Sequence, residues 1–258
     1  MLVSCSSDCT ARIWYEELSA PESKGHAPGS KYIAGPVLSG HASGVLDVAF
    51  GEQWIVTSSR DKTLRVWRRS DLAYVHTYYG HSASVNACCL QDGIVASGAG
   101  DGSIHIWDVA TGQPRTVIRG PHCGISSIIL SGSLVFTGSS DKVIRIWDAD
   151  EGVLLSVFQA HDQLVRDLSY DPERKLLISG GWDGVTRLWN IAPTLSAPRT
   201  LSPEMLLPAP EFLWEKCVHH GRVFGVCFNS TRVVSSCEDR VLMVANFGNY
   251  GLPTHLYT

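Results

Sequence analysis

One pattern recurs six times along the 258 residues: a Ser or Thr, three residues, an Asp, five residues, then an aromatic position. The copies are Ser4-Asp8-Trp14, Thr57-Asp61-Trp67, Ser97-Asp101-Trp107, Thr137-Asp141-Trp147, Ser179-Asp183-Trp189 and Ser235-Asp239-Ala245, the last with alanine for tryptophan. Successive aspartates stand 53, 40, 40, 42 and 56 residues apart. A period near 40 residues marks an array of supersecondary units, each burying its faces only against its neighbours. The two long intervals carry insertions at about 16–37 and 190–213, rich in Pro, Ala, Ser and Glu, and expected as surface loops.

A histidine precedes each aspartate except the first: His41, His81, His122, His161 and His219 stand 20, 20, 19, 22 and 20 residues upstream. After each histidine comes a run of alternating apolar residues, as in Val45, Val48 and Phe50. A β-rich run such as Trp54-Ile55-Val56-Thr57 follows, then a tight turn at the Asp, a third run such as Leu64-Arg65-Val66-Trp67, and a fourth, less regular one. Period-2 patterning between turn residues reads as strands, four per repeat, in a small antiparallel sheet. One such sheet leaves both faces wet. Stacked radially, the sheets cover one another as the blades of an all-β propeller. The expected units are 1–39 (partial), 40–79, 80–119, 120–159, 160–217 and 218–258, within a single domain.

These residues, with Gly40-His41, Gly80-His81, Trp107-Asp108 and Trp147-Asp148, resemble the WD40-repeat family over nearly the whole chain. The resemblance implies four-stranded blades, five complete and one partial. It also implies a structural tetrad within a blade, in which the Trp N–H, the Ser/Thr hydroxyl, the His ring and the Asp carboxylate bond in series. The tetrads would be His41, Thr57, Asp61 and Trp67; His81, Ser97, Asp101 and Trp107; His122, Thr137, Asp141 and Trp147; and His161, Ser179, Asp183 and Trp189. The last repeat keeps His219, Ser235 and Asp239 only.

A His–Ser–Asp set also suggests hydrolase chemistry, but an active site is needed once and this set recurs, so no catalytic residue is expected. No phosphate-cradling loop, H-E-x-x-H motif or zinc spacing occurs, and neither cofactor nor metal is expected. His105 and His255 are expected at the surface. The balance of 21 basic to 25 acidic residues argues against nucleic acid. No apolar run is long enough for a membrane span. The start carries no secretory signal. Eight cysteines without C-x-x-C, most of them in apolar runs such as Val226-Cys227-Phe228, read as buried thiols of an intracellular, cytoplasmic or nuclear chain.

The first repeat begins at its second strand, with no histidine and no inner strand. Either the sequence is the N-terminally truncated part of a larger propeller, which is favoured, or six blades close through the tail Gly251–Tyr257. Among WD40 proteins the repeats resemble the F-box/WD-repeat substrate receptors, in the β-transducin-repeat-containing branch. The signs are Leu90-Gln91-Asp92-Gly93-Ile94, His161 to Arg166, and His220 to Phe224 running on to Val233–Ser236. That resemblance implies a phosphodegron site on the upper face, with Arg166 and Arg222 matching phosphate-binding arginines and Trp182 beside the turn aspartate. It also implies an F-box, absent here, as the link to the ligase core. Gly102 stands where the branch carries Arg, and His122-Cys123-Gly124 lacks its basic residues. Read physically, the turns at the aspartates and the loops holding the histidines share one rim. It carries Arg60, Lys62, Lys142, Arg166, Arg222 and Arg240 with Trp182 among them, and acids chiefly at Asp162 and Glu238. A cationic rim favours an acidic or phosphorylated protein or peptide. The expected function is a non-enzymatic scaffold, as the substrate-recognition propeller of an SCF-type ubiquitin ligase or as a general WD40 scaffold in signalling, trafficking or RNA processing.

Overall fold

The computed structural model describes residues 1–18, 30–120, 123–197, 206–217, 219–229 and 231–246. It is the expected all-β propeller, with six antiparallel sheets. The first holds β1 (Leu2–Cys5), β2 (Thr10–Leu18) and β3 (Ser30–Ser39). The second holds β4 (Val45–Phe50), β5 (Trp54–Ser59), β6 (Leu64–Arg68) and β7 (Tyr74–Tyr78). The third holds β8 (Val85–Gln91), β9 (Ile94–Ala99), β10 (Ser103–Asp108) and β11 (Pro114–Arg119). The fourth holds β12 (Ile125–Ser131), β13 (Leu134–Ser139), β14 (Val143–Asp148) and β15 (Leu154–Gln159). The fifth holds β16 (Val165–Asp171), β17 (Leu176–Gly181), β18 (Val185–Asn190) and β19 (Glu211–Cys217). The sixth holds β20 (Val223–Phe228), β21 (Arg232–Cys237) and β22 (Leu242–Asn246).

Neighbouring blades meet through their inner strands: β4 packs on β8, β8 on β12, β12 on β16 and β16 on β20. A separate apolar cluster fills each junction between consecutive sheets. Phe136, Ile144 and Ile146, for instance, pack with Val165, Leu168 and Trp189 between the fourth and fifth. The second strands lie between neighbours on both faces, so β17 is buried along its whole length and shows no alternation. Glycine permits the close approach at two of these junctions. A Cβ on Gly138 would stand 2.7 Å from Val165 Cγ1, and one on Gly180 would stand 2.7 Å from Val223 Cγ1.

In the first sheet β1 pairs with β2 in the register that β5 and β6 use, Ser4 opposite Arg12 as Thr57 is opposite Arg65. The inner position occupied by β4 in the second sheet therefore has no strand in the first among the described residues. No apolar cluster joins the sixth sheet to the first among these residues. The suggested closing segment Gly251–Tyr257 lies outside them.

Both insertions differ from the surface loops expected. The first extends a hairpin, with β2 and β3 paired as far as Leu18 opposite Ser30. The polar composition hid a strand register that its flanks, Tyr15-Glu16-Glu17 and Lys31-Tyr32-Ile33, can sustain on an exposed sheet edge. The second contains a short helix, α1 (Ala192–Ser196), and returns against the fourth blade. There Leu207 N–H donates to Leu155 O at 2.7 Å, and Leu195 and Leu207 pack on the apolar cluster of Phe136 and Trp189. Its apolar residues are too widely spaced to show a period, yet they find a groove between blades. The cysteines also depart from the buried thiols expected: of those described, Cys88 and Cys237 are buried, Cys5, Cys9, Cys89 and Cys123 half-buried, and Cys227 exposed. Cys227 is exposed because a bulge between Val223 and Gly225 shifts the alternation of β20, so that both Val223 and Val226 turn inward.

The turn rim and the polar chains beneath it

The turn between the second and third strands has one backbone shape in every blade. The residue after the aspartate takes positive φ: 73° at Cys9, 72° at Lys62, 80° at Gly102, 74° at Lys142, 78° at Gly184 and 64° at Arg240. In all blades but the fourth, the aspartate closes the turn by accepting the backbone N–H two residues on, as Asp61 does from Thr63 at 3.0 Å and Asp239 from Val241 at 3.0 Å. The recurring Asp is thus a turn-former before it is anything else.

Beneath the turn lie the polar chains. In the second blade Trp67 Nε1 donates to Thr57 Oγ1 at 3.3 Å, Thr57 meets His41 Nε2 at 2.9 Å, and His41 Nδ1 meets Asp61 Oδ2 at 2.9 Å. The fifth blade repeats this, with Trp189 to Ser179 at 3.0 Å, Ser179 to His161 at 2.8 Å and His161 to Asp183 at 3.0 Å. An ionised Asp fixes the tautomer: Nδ1–H donates to the carboxylate and Nε2 accepts the hydroxyl proton. Burial would raise Asp61, but hydrogen bonds from Thr63, the Ala42 N–H and His41 outweigh it and hold the carboxyl at about 2. Burial holds His41 below the ordinary imidazole range and His81 down at about 4, so the rings are neutral.

The third blade departs from the expected series. His81 Nδ1 and Asp101 are 3.9 Å apart, and the Ser103 hydroxyl stands between them, 2.7 Å from the ring and 2.6 Å from the carboxylate. In the fourth blade Trp147 still donates to Thr137 at 2.9 Å, but Asp141 is gripped by Arg145 at 2.6 Å and by Ser139. His122 lies outside the described residues. The first blade keeps only Trp14 to Ser4 at 2.9 Å. In the sixth, His219 Nε2 meets Ser235 at 2.8 Å, and its Nδ1 stands 3.5 Å from Asp239.

A fifth position escaped the sequence reading. The residue opposite the tetrad hydroxyl on the third strand is Arg12, Arg65, His105, Arg145, Arg187 and Met243 in turn. Arg145 and Arg187 pair with their turn aspartates, Arg187 to Asp183 at 3.3 Å. His105, expected at the surface, holds this same inward position. It is buried, with its ring 4.0 Å from that of His81. Alignment of the six copies carries this signal, which reading single motifs does not reveal.

Of the expected rim residues, Arg222 and Trp182 are brought together: the guanidinium carbon stands 4.5 Å from the ring centroid. Arg222 also lies 3.9 Å from Glu238. Arg60, Lys62, Lys142 and Arg240 are exposed on turns of the second, fourth and sixth blades, and no ion pair engages them among the described residues. Arg166 is different. It is half-buried on β16, and its Nη1 donates to Ser126 O at 3.3 Å. Its charge also acts on two carboxylates that the sequence reading passed over, Asp47 and Asp167, at equivalent places on β4 and β16. Each inner strand bulges before this place, and the side chain there accepts the free N–H of the next blade: Cys88 N–H to Asp47 at 2.9 Å, and Val226 N–H to Asp167 at 2.8 Å. Burial raises Asp47 and lifts Asp167 to about 6. At the opposite end of the strands, a groove of about 680 Å³ runs between the second and third blades past Glu52, Trp54, Leu90 and Asp92.

The family model for the WD domain, G-beta repeat, matches residues 112–148 and 152–190, and that for the tRNA methyltransferase TRM82 WD40 domain matches 18–119. The chain is a WD40-repeat protein. Among similar proteins are the nuclear distribution protein nudF of Aspergillus niger, 29% identical over 79% of this chain and 36% of that protein, and the nuclear distribution protein PAC1 of Arthroderma benhamiae, 29% identical over 77% and 34%. The chain spans about a third of the length of these curated relatives. The sterol regulatory element-binding protein cleavage-activating protein of Xenopus laevis is 42% identical over 22% of the chain and 4% of its own length. The crystal structure of the computationally designed Ika8 protein shares the fold, with a TM-score of 0.70 at 24% identity over 95% of this chain and 80% of that one. WD40 propellers generally serve as protein-interaction scaffolds rather than as enzymes. Here the His–Ser–Asp sets recur blade after blade as internal bonds. No helix among the described residues is long and apolar enough to cross a membrane.

Proposed function

We propose that this WD40 chain is a non-enzymatic scaffold in a multiprotein assembly and that its turn rim binds an acidic or phosphorylated segment of a protein partner. The observation that carries this reading is the stack of Arg222 on Trp182. An arginine held over an indole is restrained beforehand by the ring and still presents guanidinium donors to a carboxylate or phosphate. Exposed cations on three other turns, without ion-pair partners among the described residues, extend the same field. The role as substrate receptor of a ubiquitin ligase is the narrower form of this reading and draws less support. Arg166 donates to a backbone carbonyl and its charge acts on two internal carboxylates, Gly102 offers no charge, and two of the relatives named above are nuclear distribution proteins.

The test is fluorescence anisotropy with acidic peptides in phosphorylated and unphosphorylated forms. Arg222→Ala and Trp182→Ala each weaken the phosphopeptide roughly tenfold, as expected for a desolvated cation–π contact and a charge-assisted pair. A Lys142→Ala change on a remote blade costs less. Unaltered affinity in Arg222→Ala, with the thermal midpoint preserved, defeats the proposal.

A further inference from the structure

The sixth blade breaks the repeat at three places at once. Two residues after the tetrad hydroxyl stand Ser6, Ser59, Ala99, Ser139 and Gly181 in the first five blades, and Cys237 in the sixth. Opposite the hydroxyl stand Arg12, Arg65, His105, Arg145 and Arg187, and then the uncharged thioether Met243. At the third strand's tryptophan stands Ala245. The cation that grips Asp141 and Asp183 in their own blades is therefore missing beside Asp239, and no guanidinium pairs with Asp239 among the described residues. The serine hydroxyl has become a thiol.

The geometry has opened to match. His41–Asp61 and His161–Asp183 close at 2.9 and 3.0 Å, whereas His219 Nδ1 and Asp239 Oδ2 stand 3.5 Å apart. Donor atoms of His219, Cys237 and Asp239 all lie within 4.8 Å of one another. Tetrahedral zinc with bonds of about 2.0–2.3 Å sets its ligands about 3.5 Å apart, so the His–Asp edge already has that length and the sulfur has a short way to move. The Ser235 hydroxyl, 2.8 Å from His219 Nε2, fixes the ring with Nδ1 toward the cluster, as a second partner commonly does for a ligating histidine. His219 and Cys237 are buried, and the Asp239 carboxylate is 27% exposed, which leaves a way in from the rim. Gly221 carries no side chain over the cluster. A Cβ there would stand 3.5 Å from Cys237 Sγ.

We propose that His219, Cys237 and Asp239 form a binding site for a borderline divalent metal ion of the zinc class, with water completing the coordination. One nitrogen, one sulfur and one oxygen suit zinc, which takes all three donor types, better than magnesium or calcium, which take oxygen. On binding, the Cys237 thiol gives up its proton to solvent and the metal–sulfur bond replaces the S–H bond. This site is independent of the acidic-partner reading. It would tie β21 to the loop that carries His219 in the blade that lacks the tryptophan.

The experiment uses the full chain, reduced and stripped with a chelator. Zinc is titrated against a chromophoric competitor, and cobalt is substituted to read thiolate-to-metal charge transfer by absorbance. The wild type takes up one ion per chain, shows the cobalt–thiolate band and melts higher with zinc. Cys237→Ser and Met243→Arg each install a residue type that equivalent positions of other blades already hold, so both variants fold. Cys237→Ser abolishes the cobalt–thiolate band, and Met243→Arg weakens zinc roughly 10–100-fold, as a change beside the ligands does. Cys227→Ser, on the exposed face of β20, changes neither. Absence of uptake by the wild type, a cobalt–thiolate band that survives Cys237→Ser, or one lost in Cys227→Ser overturns the proposal.

Discussion

Ser179 places one oxygen at the centre of the fifth blade, wholly buried, receiving the Trp189 indole N–H at 3.0 Å and bonding His161 Nε2 at 2.8 Å. Ser179→Ala removes it and leaves both partners buried. A buried donor or acceptor stripped of its partner costs about 1–3 kcal/mol, so stranding two of them costs roughly 2–6 kcal/mol. Against a total stability on the order of 5–15 kcal/mol, that is a large fraction. At about 2–4 °C per kcal/mol for a domain of this size, the thermal midpoint falls by roughly 4–24 °C. The molecule contains its own control. Ser235 bonds His219 at 2.8 Å, but Ala245 supplies no indole, so Ser235→Ala strands one group and costs about 1–3 kcal/mol. Trp189→Phe added to Ser179→Ala removes the stranded N–H while keeping the ring beside Phe158 and Phe212, and recovers part of the loss. Scanning calorimetry and urea midpoints on the four proteins measure this. Were Ser179→Ala to lie within about 0.5 kcal/mol of wild type, the range of an ordinary surface change, the buried series would be doing nothing for stability. If Ser235→Ala costs as much as Ser179→Ala, the stranded indole N–H contributes nothing to the loss.

Two further outcomes follow from the same geometry. Asp61 and Asp183, each held at about 2, contribute stability present above pH ~4 and lost as pH falls toward 2. Asp167, lifted to about 6, has the opposite sign: its buried charge burdens the fold above that pH and is relieved as pH falls through it. His81, held down at about 4, works against this relief by losing stability as pH falls below about 6.5, so Asp167→Asn makes the first limb, from pH 7 to pH 5, fall more steeply than in the wild type and leaves the limb below pH 4 unchanged. An unchanged first limb in that variant refutes the assignment. Gly138→Ala drives a methyl to 2.7 Å from Val165 Cγ1 and destabilises the junction of the fourth and fifth blades by about 1–3 kcal/mol, read from the urea midpoint. The same change at Gly132, whose added Cβ meets nothing within 4 Å, tests backbone strain alone.

The aspartates, hydroxyls and tryptophans were legible because each must be repeated wherever a blade is repeated. Their links were less so. Ser103 steps between His81 and Asp101, and Arg145 takes hold of Asp141, because short side chains choose partners over tenths of an ångström that spacing does not encode. His105 looked solitary in the sequence, since its partner His81 is 24 positions away on another strand. The hub carboxylates Asp47 and Asp167 occur in only two of the five inner strands, too few to register as a period. Their role as acceptors for a neighbouring blade exists only once the blades are adjacent.

The sequence by itself determined the module. Periodic apolar residues, a turn aspartate and a buried hydroxyl dictate a small antiparallel sheet, because those are local demands of backbone geometry and of polar groups denied water. Only the tertiary structure decided which charges remain available. Arg166 and Arg222 read alike in sequence, yet one is turned inward toward Ser126 while the other lies on Trp182 at the rim. The reason is physical: a charge is spent or free according to the neighbours that packing brings within a few ångströms, and those neighbours come from other blades.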